Sequence, residues 1–62
     1  MAYTVKQARC IAGLTQQEMA DELHMHRTTY VKLEGNPESF TVGQAKAFSR
    51  KTNIPIDNIF FA

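Results

Sequence analysis

Thr15-Gln16-Gln17-Glu18-Met19-Ala20-Asp21-Glu22-Leu23-His24-Met25-His26-Arg27-Thr28-Thr29-Tyr30-Val31-Lys32-Leu33-Glu34 is the stretch that decides the fold. It opens on a capping box. The Thr15 hydroxyl accepts from the Glu18 amide, and the Glu18 side chain reaches back to Thr15. Met19, Ala20 and Leu23 then share one face of a helix only eight or nine residues long. His24-Met25 is a very short connection. A second helix opens at Met25 or His26 and runs to Leu33 or Glu34, with Tyr30 and Leu33 facing inward. A turn this tight prevents an antiparallel hairpin, so the two helices must cross steeply. Ala20, small and mid-helix, lets the second helix approach closely, and Leu23 and Leu33 fill the space beneath the crossing.

The flanks are also helical. Thr4 caps a helix to Ala12 whose face carries Val5, Ala8 and Ala12, and Gly13 suits the left-handed turn that ends it. Gly35-Asn36-Pro37 stops the helix before it. Thr41-Val42-Gly43-Gln44 is another capping box, opening a helix to about Thr52 with Val42, Ala45 and Phe48 on one face and Asn53 as its C-cap. Pro55 suits the first turn of a last short helix, roughly Ile56 to Phe61, with Ile54, Ile56, Ile59 and Phe60 as its apolar set. No alternating segment reads as a strand. The expectation is an all-α fold of five short helices in one domain, residues 1–62.

Composition bounds what such a chain does. It has 62 residues, a net charge of +1 and a hydrophobic fraction of 44%, too apolar for a disordered chain. A chain of this length buries only about 60% of its unfolded surface, which favours a compact binding module over an enzyme with a closed cleft. Single Cys10 excludes an internal disulfide and a cysteine-cluster metal site. His24-x-His26 falls short of a metal ligand set, and no phosphate loop or nucleophile elbow is present. The longest apolar run, Ile59-Phe60-Phe61-Ala62, is far below the roughly 20 residues of a membrane helix. With no signal peptide, the expectation is a soluble cytoplasmic protein without enzymatic activity, cofactor, small-molecule ligand or membrane partner.

Gln16-x-x-Met19-Ala20-x-x-Leu23, then Met25, then Thr28-Thr29-Tyr30-x-x-Leu33-Glu34, resembles the helix-turn-helix of the phage repressor and Cro family, the XRE family. Val42-x-x-Ala45-x-x-Phe48 and Ile54-Pro55-Ile56-Asp57-x-Ile59-Phe60 continue the likeness to the family's fourth helix and ending. It extends from about Val5 to Phe61 and implies a lambda-repressor-like domain that binds double-stranded DNA. Three departures stand out. His24 occupies a turn position where the family usually has Gly, Gly35-Asn36 inverts a common polar-Gly order, and the following loop carries Glu38 but no Lys or Arg.

Site residues follow from both readings. An Arg on an apolar helix face needs a partner, and a carboxylate meets its fork in bidentate fashion. The resemblance implies that Arg9 pairs with Glu34 as a structural element. With Tyr30 and Leu33 inward, Arg27, Thr28, Val31 and Lys32 lie outward or at the edge. The start of such a helix reaches base edges. Arg27 matches the O6 and N7 acceptors of guanine, and Thr28 meets a base or a thymine methyl. Lys32 reaches a further base or a phosphate. Gln16 and Gln17, at a helix N-terminus, suit the DNA backbone. The resemblance adds that Gln16 also braces the recognition helix. His26 caps that helix or touches phosphate, and the Asn36–Phe40 loop, with Asn36 and Ser39, clamps a second phosphate. Charge is distributed weakly in the same sense: residues 1–23 sum to −1, 24–35 to +1 and 36–62 to +1.

A helix cannot bury Ile59, Phe60 and Phe61 together, so the expectation is a homodimer contact there, placing two recognition helices about 34 Å apart on an inverted-repeat operator. The functional expectation is a Cro- or repressor-like regulator of a phage or mobile element, acting by operator occupancy. The competing class is a protein-binding module, such as an antitoxin, on the same fold.

Overall fold

The computed structural model describes residues 2–61, apart from the side chain of Phe60. A short strand β1, Tyr3–Thr4, leads into α1, Val5–Ile11. Helices α2, Gln16–Glu22, and α3, Arg27–Gly35, form the crossed pair. A 3₁₀ turn at Pro37–Ser39 precedes α4, Val42–Thr52, and a second at Ile56–Asn58 precedes β2, Ile59–Phe60. No helix among the described residues is long and apolar enough to cross a membrane.

Local chemistry sets the helix starts. Thr4, Thr15 and Thr41 each accept from the amide three residues on, and Gln7, Glu18 and Gln44 each return a bond to the cap's own amide. Every such pair satisfies two backbone donors that a helix start leaves unmet. The ends need left-handed backbone. Gly13 follows α1 at φ +76°, and Asn53 caps α4 at φ 61°. His24 takes the same region, φ 58°, between α2 and α3.

The core gathers Val5 and Ala8 of α1, Met19 and Ala20 of α2, Tyr30 of α3 and Phe48 of α4, with Ile54 and Ile59. Ala20 is fully buried, and its carbonyl accepts from the Met25 amide across the turn. With no bulk at position 20, α3 can close down on α2.

The structure departs from the sequence expectations at the C-terminus and at the start of α4. The fifth helix does not form. After Pro55 the chain makes one 3₁₀ turn and then pairs in parallel with the N-terminus, Tyr3 opposite Ile59 and Thr4 opposite Phe60. Six residues are too few to recover the cost of helix nucleation, and β-branched Ile and aromatic Phe favour extended backbone. The domain therefore has four α-helices among its described residues and a two-stranded parallel sheet that ties its ends together.

The placement of the residues expected at a C-terminal dimer contact changes with it. Ile59 is buried in the core, and Phe61 is half-buried, its ring edge-on to Phe40 at 5.0 Å and to Phe48 at 6.0 Å. Strand alternation turns these two residues to the same inner side. The side chain of Phe60 lies outside the described residues. Val42, assigned to the core face of α4, is 72% exposed, because that helix buries Ala45, Phe48 and Thr52 instead. Ile56 is likewise exposed rather than part of the terminal apolar set.

Candidate nucleic-acid interface

The inner side of α3 is fixed by one carboxylate. Arg9 Nε donates to Glu34 Oε2 at 2.8 Å, and its Nη2 donates to Oε1 at 3.3 Å. Arg9 Nη1 donates to the Leu14 carbonyl at 2.7 Å. Tyr30 donates its hydroxyl to Glu34 Oε2 at 2.6 Å, and Gln16 Nε2 donates to Oε1 at 3.3 Å. Glu34 thus joins α1, the start of α2 and α3 itself. A buried charge with several charge-assisted partners is satisfied only in one arrangement, so the cluster fixes the angle at which α3 is presented.

The electrostatics agree. The hydrogen bond to Glu34 raises Arg9 above its ordinary value. Burial pushes the Glu34 carboxyl up, but hydrogen bonds from Arg9 and Tyr30 and the Arg9 charge outweigh it and hold the group below the usual carboxylate range. Burial, reinforced by the bond to Glu34, pushes the Tyr30 phenol well above its usual value. Sequence reasoning placed Tyr30 inward as an apolar residue and missed its hydroxyl. The signal was its spacing: Tyr30 and Glu34, four apart, are neighbours on a helix.

The outer side of α3 differs. Arg27 is the first residue of the helix, and Arg27, Thr28, Val31 and Lys32 are all exposed. Neither Arg27 nor Lys32 forms an ion pair among the described residues, whereas Lys51 of α4 is paired with Glu22 of α2 at 2.7 Å. His26 is the N-cap of α3 but makes no side-chain capping bond, so its imidazole is exposed and uncommitted.

The remaining candidates divide by place. Gln16 is half-buried at the start of α2 and turns its amide nitrogen to Glu34. Gln17, beside it, is exposed and donates to Asp21 Oδ1 at 2.9 Å. Asn36 and Ser39 come together in the loop after α3, with Asn36 Nδ2 donating to Ser39 Oγ at 3.1 Å, and both are exposed. Ile59 lies within the core, and Phe61 packs at its edge against Phe40 and Phe48.

Two short helices crossing over a buried alanine, the second presenting Arg27 and Lys32 with no ion pair among the described residues, have the arrangement of a helix-turn-helix. The helix-turn-helix family model matches residues 5–59, nearly the whole chain. The protein belongs to the Cro/C1-type, XRE helix-turn-helix family. Membership makes this helix-turn-helix protein a DNA-binding transcription regulator whose partner is double-stranded DNA. No curated protein and no solved structure matches the chain. Within this helix-turn-helix, α3 stands in the place of the recognition helix.

Proposed function

We propose that the protein is a Cro- or repressor-like regulator of a phage or mobile element, without catalytic activity, that binds an inverted-repeat operator as a homodimer and acts by occupying it. The observation that carries this reading is the contrast between the two sides of α3. Its inner side is locked through Glu34, and its outer side presents Arg27 and Lys32 with no ion-pair partner among the described residues, beside exposed Thr28. A cation held on a fixed helix and left unpaired is poised for an external acceptor.

In this reading Arg27 donates both arms of its fork to guanine O6 and N7, Thr28 contacts the adjoining base, and Lys32 reaches one base further or a phosphate. Gln16, Gln17 and His26 hold one strand's backbone, and Asn36 and Ser39 hold the other end of the half-site. One turn of α3 reads too few base pairs to find one site in a genome, so two-fold symmetry doubles the readout. The buried Ile59 and the packed Phe61 support an interface other than the C-terminal aromatic face.

Selection of bound fragments from a random DNA pool tests this. The expected result is an inverted repeat with half-site centres about one helical turn apart and a guanine in each half. Recovery of unenriched DNA would sink the proposal and favour a protein partner for the same face.

A further inference from the structure

Four large apolar side chains are exposed among the described residues: Ile11, Val31, Val42 and Ile56. Three stand at the margins of elements. Ile11 closes α1, Val42 opens α4, and Ile56 opens a 3₁₀ turn. Val31 alone lies inside a helix, 38% exposed, on a face otherwise given to polar groups. A β-branched side chain is a weak helix former, so neither helix propensity nor core packing accounts for it there.

Its neighbours on the helix surface define what it meets. Thr28, Val31, Lys32 and Gly35 follow one another at i, i+3, i+4 and i+7, forming a stripe opposite buried Tyr30 and Leu33. The stripe is low at its far end. Gly35 has no positive φ, and a Cβ built on it meets nothing within 4 Å, so the fold itself does not require glycine at that point. A glycine that the protein does not need for its own packing leaves room for an outside surface to come close.

We propose that Val31 reads thymine through its C5-methyl group. This rests on the proposed docking of α3 in the major groove and extends it by one residue and one base. In that groove thymine is the base that presents a methyl, and an apolar side chain is its complement. Arg27 and Lys32 supply donors, and Val31 supplies the apolar contact between them, one turn along from Arg27. Cytosine at the same place lacks the methyl and puts an amino group against the valine, which leaves that donor without an acceptor.

The test uses the selected operator with deoxyuridine replacing each thymine in turn, which removes one methyl and nothing else. The wild-type chain should lose affinity about fourfold per half-site at one thymine, the worth of one buried methyl group. Val31→Ser and Val31→Asn, which carry no methyl group, should bind thymine and deoxyuridine equally there. Both variants will fold, because the site is exposed. If the variants keep wild-type sensitivity at every thymine while Arg27→Ala still loses its guanine preference, the Val31 assignment is overturned and the docking stands. If the wild-type chain does not distinguish the selected site from random DNA, both are overturned.

Discussion

Glu34 ties α1, α2 and α3 together through one side chain. It accepts from Arg9, Tyr30 and Gln16, and Arg9 spends its remaining arm on the Leu14 carbonyl. Removing one partner of a buried pair leaves the other charge uncompensated, at a cost of roughly 3–5 kcal/mol. Arg9→Ala should therefore lower the melting temperature by more than about 12 °C, at roughly 4 °C per kcal/mol for a domain of this size. Melting within a degree or two of the parent would show that the pair contributes nothing. The same cluster makes stability depend on pH at both ends of the range. Glu34 is depressed in the folded state, so its contribution is complete above about pH 4.5, its ordinary value, and is lost as pH falls through the folded value. Tyr30 is raised, so its contribution is complete below about pH 10.0 and is lost as pH rises further. Glu34→Gln should flatten the acid limb of a stability–pH curve, and Tyr30→Phe the alkaline limb. At His24 the backbone, not the side chain, is the issue. A non-glycine residue at φ 58° costs about 1–2 kcal/mol, less about 0.5–1 kcal/mol for the freedom that glycine adds to the unfolded chain. His24→Gly should stabilise the domain by about 0.5–1 kcal/mol in a denaturant titration, and a loss of stability would show that the imidazole makes a contact of its own.

Among the elements, the helices were legible because their start and stop signals are local. Thr15 with Glu18 and Thr41 with Gln44 each lie within one turn, and Gly13 and Asn53 mark ends by backbone preference alone. The C-terminal segment was not legible, because its partner lies at the other end of the chain. Ile59 and Phe60 become a strand only when Tyr3 and Thr4 are beside them, and no short-range pattern records a pairing across the length of the sequence. Val42 was misplaced for a different reason: Ala45, Phe48 and Thr52 set the buried face of α4, that row runs back through Thr41, and Val42 is turned one position off it. The strand has a mechanical consequence. Phe61 packs on Phe40 and Phe48 but is only half-buried, so Phe61→Asp should destabilise the monomer itself by about 2–3 kcal/mol, below the roughly 3–5 kcal/mol of a fully buried aromatic. Unchanged thermal stability together with weakened self-association would restore the C-terminal face as an interface.

Across the whole molecule, the fold is a device for presenting one helix. Four helices and a tie between the termini position α3, and the Glu34 cluster fixes it from behind. The outward placement of Arg27, Thr28 and Lys32 was legible in the sequence, since it follows from the inward pair Tyr30 and Leu33 by helical spacing alone. What spacing did not give is the commitment of each polar side chain. Gln16 turns to Glu34 and Gln17 to Asp21, whereas His26 is left free, and such choices depend on three-dimensional neighbours. Net charge is only +1, so under the proposed function the salt-dependent grip of the chain on phosphate is small and base reading supplies the discrimination. The most direct measurement compares Arg27→Ala with the parent on the selected operator and on random DNA at one fixed salt concentration. The account predicts a loss of about 1–3 kcal/mol on the operator at each half-site, nearly unchanged binding to random DNA, and relaxed preference at a single base pair in each half. Equal loss on both DNAs, or no loss on either, would contradict it.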